Sequence, residues 1–229
     1  MRHGLGTFRL RALGLSTIAG ATVLGIIVVG AITLRSGAQT TANELGSVAI
    51  GTAAPDFTAR DTRGSPVHLA GYRGRIVVLE WTNDGCPFVA KHYRSGNMQG
   101  LQKAYTQRGV VWLTVVSSAV GEQGYVTPAE ADRDTAVQGA MPSAVLLDPS
   151  GTLGRLYGAR ATPHIYVIDT AGRLVYRGAI DDKPSTNIAD IATAHNYVAA
   201  ALDETLAGQP VAVPATTAYG CTVKYEPGS

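Results

Sequence analysis

The sequence predicts an α/β domain, on three observations. Apolar runs of strand length alternate with segments that carry helix caps and helical periodicity. Two of those runs, residues 76–81 and 110–116, are near-continuously apolar, as in strands covered on both faces. The series closes with an antiparallel hairpin and a final helix.

Residues 53–57 and 67–69 read as short strands joined by a turn at Arg63-Gly64-Ser65. The first buried strand, residues 76–81, ends in Trp81, passes through the turn residues Asn83-Asp84-Gly85 and delivers Cys86 followed at once by Pro87. A short helix then runs to about Tyr93 and breaks at Ser95-Gly96. It resumes with Met98, Leu101 and Tyr105 on one face and stops at Gly109. Residues 110–116 form the second buried strand. Thr127-Pro128-Ala129-Glu130 supplies a cap, a first-turn proline and an acidic third residue, so a helix starts there and ends near Gly139. Residues 144–147 make a third strand before the turn Pro149-Ser150-Gly151, and residues 165–168 and 174–176 a hairpin across Thr170-Ala171-Gly172. In the last helix Asn187 is the cap, Asp190 completes a capping-box-like pair, and Ile188, Ile191, Val198 and Leu202 share one stripe. Gly208 and Pro210 end it.

The amino-terminal stretch stands apart. Residues 13–34 carry no charge, with Arg2, Arg9 and Arg11 before them and Arg35 after. That length exceeds the apolar region of ordinary signal peptides and approaches the ~20 residues needed to span a bilayer. Residues 1–38 are read as a signal anchor, or, with Ser36 and Ala38 forming a cleavage site, as a removed signal peptide. The flanking charges hold the amino terminus inside and send the rest out. Residues 39–47 are a polar linker, 48–207 the domain, and 208–229 a carboxy-terminal tail. The formal charge of +2 belongs to the leader: beyond residue 38 there are 15 basic and 17 acidic residues. Nothing in that balance suggests a nucleic-acid surface.

The chemistry-bearing candidate is Cys86. A cysteine at a strand-to-helix junction, followed by proline at the first helical position, faces the unpaired first amides of the helix, which favour a thiolate. Its pKa is expected below that of a free thiol, and its nucleophilicity near neutral pH raised. The competing reading is a small buried hydrophobe. Both cysteines, Cys86 and Cys221, follow the export segment and would meet an oxidising compartment, where they are natural partners. At roughly 3.3 Å per residue the Gly- and Pro-bearing linker before Cys221 can span tens of ångströms, so contact is sterically open.

Several segments together carry a resemblance. TNDGCPFVAKHY, GNMQ, ATPHIYVID, YRGAIDDKPSTN, NYVAAALDETLAG and the terminal YGCTVKY, in that order over about residues 48–225, resemble the peroxiredoxin-like redoxin group (AhpC/TSA-like) of the thioredoxin superfamily. The resemblance implies a thioredoxin-like fold with a central mixed β-sheet flanked by helices. It also implies a cis proline at Thr162-Pro163 facing the cysteine, with a backbone edge beside it that pairs with an extended substrate. Catalytic roles then fall to Cys86 and Cys221, and substrate contacts to Trp81, Pro87, Thr162, Pro163 and His164. The partners are protein thiols and disulfides or peroxide, at a bacterial cell envelope and anchored in the inner membrane, or secreted or periplasmic if the leader is cut. No cofactor and no metal are called for. The pattern is not complete. Val89 stands where a CxxC motif has its second cysteine, and Asn83 and Leu79 stand where peroxiredoxins carry Thr or Ser and Pro.

His92 and His164 are candidates to stabilise a thiolate or move a proton. His92 lies nearly two helical turns beyond Cys86, roughly 9 Å along the axis, so direct contact with the sulfur is not expected. Lys91 reads as a solvated charge. Residues 181–187 read either as a loop over the site or as a charged turn capping the final helix. Three functions remain open: a thiol oxidoreductase using Cys86 with Cys221 resolving, an inert interaction module with a structural Cys86–Cys221 bridge, and a soft-metal (copper) carrier through Cys86, His92, His164 and Cys221.

Overall fold

The computed structural model describes residues 48–226. Strand β1 (Thr58–Arg60) pairs antiparallel with β2 (Pro66–His68) across the Arg63-Gly64-Ser65 turn, and Asp61 holds that turn by accepting from the Arg63 and Ser65 amides at 2.9 and 2.8 Å. The elements that follow are β3 (Val77–Trp81), α1 (Pro87–Arg94), α2 (Asn97–Thr106), β4 (Val111–Val116), α3 (Pro128–Val137) and β5 (Ala144–Leu147). After them come α4 (Thr152–Tyr157), β6 (Ala161–Thr162), β7 (His164–Ile168), β8 (Leu174–Gly178), α5 (Tyr197–Leu206) and β9 (Cys221–Thr222).

Five strands form a mixed sheet in the order β5-β4-β3-β7-β8, with β3, β4 and β5 parallel and β7 and β8 antiparallel. The expected central mixed sheet flanked by helices is present. β3 is buried along its whole length. Alternate residues therefore feed two cores. Val77, Leu79 and Trp81 join Leu113, Tyr157 and Tyr166 on one face, while Val78 joins Trp112, Met98, Ile165, Tyr176 and Leu202 beneath α1, α2 and α5 on the other. The register sets Trp81 opposite His164. That places the loop leaving β3 beside the turn entering β7, which is where the site forms.

Local rules account for most boundaries. Thr127 and Glu130 form the reciprocal capping box that starts α3, and Gly96, at φ 75°, is the left-handed hinge between α1 and α2. The expected single last helix is corrected to two pieces. Asn187 accepts from the Ala189 amide and starts only a short 3-10 helix, Ile188–Thr193, and Asn196 then caps α5 by accepting from the Ala199 amide at 2.9 Å. Ile188 is 44 % exposed and does not belong to the buried stripe. Helix α4 carries no periodic signal. Its first turn is held from outside by Asp148, which accepts from the Leu153 and Gly154 amides at 3.1 and 2.9 Å.

The tail is not a separate appendage. Ala215 pairs with Arg177 along β8, Val223 enters the first core, and the Tyr225 hydroxyl donates to the Ala159 carbonyl at 2.7 Å. Among the described residues no helix is long and apolar enough to cross a membrane. The expected leader, residues 1–38, and the linker, 39–47, lie outside the described residues.

Candidate active site

Cys86 is the N-cap of α1, with extended backbone (φ −91°, ψ 121°) and Pro87 at the first helical position. Asn83 fixes the preceding loop: its side-chain oxygen accepts from the Gly85 amide at 2.9 Å, its amide donates to the Gln123 carbonyl at 3.0 Å, and its own carbonyl accepts from the Cys86 amide at 3.0 Å. The Thr162–Pro163 peptide bond, which is cis, lies across from the sulfur. As a thiol, Cys86 donates to the Thr162 carbonyl oxygen at 3.1 Å.

The edge beside that turn is occupied. β9 pairs antiparallel with β6, Cys221 opposite Thr162 and Thr222 opposite Ala161. The tail of the same chain lies where the family resemblance places an extended substrate. Gly220, at φ 134°, permits this close approach, because a Cβ there would run into the Thr162 carbonyl. Both cysteines are free thiols, and Cys221 packs against the core cluster that holds Cys86.

The two sulfurs are electrostatically unequal. Burial pushes Cys86 up, but hydrogen bonds from the Cys221 thiol, the Val89 and Cys221 amides and the Thr162 side chain outweigh it, leaving the thiol below its ordinary 9.0. The Val89 amide acts from the first helical turn although no side-chain hydrogen bond formally caps α1. Burial first, then the Cys86 sulfur, pushes Cys221 up to about 11. A single negative charge in the pair therefore resides on Cys86. A nucleophile that meets a partner must be reachable, yet in the folded chain Cys86 is buried, with the Thr162 carbonyl against its sulfur.

A second cluster joins the tail to α1. Lys91, expected in solvent, is buried, and its ammonium donates to both Asp181 carboxylate oxygens at 3.3 and 3.1 Å, to the Lys183 carbonyl at 2.7 Å and to the Tyr219 hydroxyl at 3.1 Å. Tyr219 also bonds to Asp181 and stacks edge-on against Phe88, ring centroids 5.9 Å apart. Residues 181–187 serve both expected purposes, since Asp181 reaches this cluster while Asn187 caps the following 3-10 turn. Within β3, fully buried Glu80 accepts from Tyr93 at 2.8 Å, Gln102 at 3.2 Å, Trp112 at 2.7 Å and Thr114 at 3.2 Å. Burial nonetheless raises its pKa above 4.5 against those four bonds.

Of the residues singled out from sequence, Cys86, Cys221, Thr162 and Pro163 meet, and Pro87 is exposed at the start of α1. Trp81 is instead a core residue. Its ring packs on Tyr157 and Tyr166 and its N–H donates to Ser117 at 3.0 Å, in the core cluster opposite that of Cys86. His164 faces Tyr166, its Nδ1 3.3 Å from that hydroxyl, and lines a hollow with Arg160 and Arg177. Burial, then those two guanidiniums, lowers its pKa to about 3. His92 sits 3.8 Å from Asp181, and burial, opposed by Asp181, lowers it to about 4. Both imidazoles are neutral near pH 7, and neither is hydrogen-bonded to the Cys86 sulfur. The four side chains of a soft-metal site are not gathered; among the described residues no group of three His, Cys, Asp or Glu is placed to hold a metal ion. Sequence reasoning missed Tyr219 and the Lys91–Asp181 pair. Its only available signal for Glu80 was a charge inside an apolar strand.

Comparison with known proteins agrees with this geometry. The model of the AhpC/TSA family matches residues 50–177. A structure of an uncharacterized conserved protein from Geobacillus kaustophilus is 25% identical, with TM-score 0.67 over 82% of this chain and 96% of that one. A hypothetical protein from Sinorhizobium meliloti is also 25% identical, with TM-score 0.66 over 80% and 97%. A candidate protein disulfide isomerase from Bacteroides thetaiotaomicron, 21% identical with TM-score 0.52 over 72% and 95%, shares the fold. No curated protein sequence matches the chain significantly. With a redoxin sheet, a cysteine capping α1 and a cis proline across from it, the chain belongs to the AhpC/TSA family of thioredoxin-like redox proteins.

Proposed function

We propose that this protein is an exported thiol oxidoreductase, anchored by residues 13–34 in a bacterial envelope membrane, that cycles between a Cys86/Cys221 dithiol and a Cys86–Cys221 disulfide. The observation that carries the reading is the placement of Cys221 opposite Thr162, whose carbonyl accepts from the Cys86 thiol, together with the opposed shifts of the two thiols. When β9 lifts from β6 and uncovers the sulfur, Cys86 as thiolate attacks one sulfur of a disulfide in a partner protein, expelling the other as thiolate and leaving a mixed disulfide. Cys221, giving up its proton to the expelled thiolate, then attacks the Cys86 sulfur. The partner leaves with both sulfurs reduced, and its two electrons have come from the cysteine pair. An external thiol reductant regenerates the dithiol. With a peroxide as oxidant, Cys86 takes one oxygen as sulfenic acid and releases water or alcohol, and condensation with the Cys221 thiol then forms the disulfide and expels water.

The firm attachment of the tail at Thr216, Val223 and Tyr225 favours a second reading, in which the same bridge is a permanent cross-link. Substitution separates the two. Cys86→Ser is expected to abolish insulin reduction and peroxide turnover, and Cys221→Ser to accumulate mixed disulfides with partner proteins. Full activity in Cys86→Ser refutes the proposal.

A further inference from the structure

Tyr219 stands two residues before Cys221, and nothing in the exchange chemistry uses it. Every group that holds it nevertheless belongs to the Cys86 side of the site. Phe88, two residues after Cys86, packs against its ring; Lys91, one turn further along α1, donates to its hydroxyl and lies 5.2 Å from its ring centroid; Asp181 accepts from that hydroxyl, and His92 Nε2, also on α1, lies 3.5 Å from it. The Lys91–Asp181 pair is itself buried, with side-chain exposures of 0% and 2%. Such a pair is rigid where every donor and acceptor is satisfied, and costly to leave half-paired. The ring and hydroxyl are thus fixed by a part of the molecule that moves with α1, whose N-cap is Cys86. Between Tyr219 and Cys221 only Gly220 intervenes, close against the Thr162 carbonyl.

From this we infer that Tyr219 is the positioning residue of the exchange reaction: anchored on Lys91 and Asp181, it sets the register of β9 so that the Cys221 sulfur, and no neighbouring residue, meets Cys86. Side chains alternate along an extended chain, so a slip of one residue would bring Gly220 or Thr222 opposite Thr162 and turn the sulfur away. Contacts further along the tail, such as Tyr225 with Ala159, hold β9 to the domain without referring it to α1. This inference rests on the Cys86–Cys221 reading of the function and adds the group that sets its effective concentration.

The test equilibrates the full chain with glutathione buffers and compares wild type, Tyr219→Phe, Tyr219→Ala and Tyr225→Phe. Tyr219→Ala should lower the equilibrium constant for Cys86–Cys221 bridge formation roughly tenfold, about 30 mV for a two-electron couple. Tyr219→Phe, which keeps the ring, should fall between, and Tyr225→Phe should leave the constant unchanged. The pH profile of Cys86 alkylation, measured on the same proteins, needs no bridge. Loss of the Cys221 hydrogen bonds should move the Cys86 titration in Tyr219→Ala upward, towards 9.0. An equal constant in Tyr219→Ala and wild type, or an equal fall in Tyr225→Phe, overturns the inference. Wild type that forms no bridge at any glutathione ratio defeats the functional reading alone, and the alkylation profile then decides: an unshifted Tyr219→Ala titration rejects Tyr219 as the positioning residue.

Discussion

Cys221 and Thr162 face each other in a two-residue antiparallel ladder, and the carbonyl of that same Thr162 lies 3.1 Å from the Cys86 sulfur. One residue thus accepts from the thiol of Cys86 and pairs with the backbone of Cys221. A strand of the chain itself fills an edge that could pair with an extended polypeptide, and it presents a cysteine where a partner's would react.

The approach of β9 depends on Gly220, whose φ of 134° and contact with the Thr162 carbonyl leave no room for a side chain. Gly220→Ala should lift β9 from β6. Alkylation of Cys86 by iodoacetamide should then quicken about tenfold and bridge formation slow correspondingly, with a stability loss of about 1–3 kcal/mol from the strained backbone. Kinetics of both reactions on the purified chain check this; unchanged rates would show that the ladder tolerates a methyl group.

Glu80 should make stability depend on pH. Its folded pKa is raised above 4.5, so over the interval from that value up to the folded pKa the unfolded chain has released a proton that the folded chain still holds. Stability therefore falls as pH rises through that interval and levels off above it. Glu80→Gln can still accept from Trp112 and cannot ionise. Its stability relative to wild type should improve as pH is raised from below 4.5 to neutrality, as measured by urea unfolding. A difference independent of pH would contradict the assignment.

Lys91 and Asp181 should behave as a buried pair. Asp181→Ala leaves an ammonium enclosed with only the Lys183 carbonyl and Tyr219 as acceptors, at a cost of about 3–5 kcal/mol. Replacing both, Lys91→Met with Asp181→Leu, should recover much of that loss. Denaturant midpoints of the single and double variants give the coupling, and strictly additive losses would mean that the two charges are independent.

Local signals carried the reading of the sequence a long way. The capping box at Thr127, the glycine break at Gly96 and the Cys86-Pro87 junction each act within a few residues, and each forms as read. Asn196 was legible in principle, but the apolar stripe through Ile188 and Leu202 masked a second cap inside it. What could not be read depends on distance. Asp181 comes from 90 residues away to bury Lys91, and Tyr219 from 128. The family resemblance assigns Trp81 to the site, but the two-residue period of β3 sends it to the other core. That Cys221 could reach Cys86 followed from chain length; that it does so as a strand on Thr162 required the fold.

The central claim is that Cys86 and Cys221 exchange reversibly between dithiol and disulfide. Intact-mass spectrometry of the protein, equilibrated across a graded series of thiol–disulfide buffers and mapped by non-reducing digestion, measures this directly. The account predicts one Cys86–Cys221 peptide whose midpoint lies well above about −300 mV, in the range of exchange-active pairs. A midpoint below that value, marking a permanent cross-link, or two thiols that stay unbridged throughout, would contradict it.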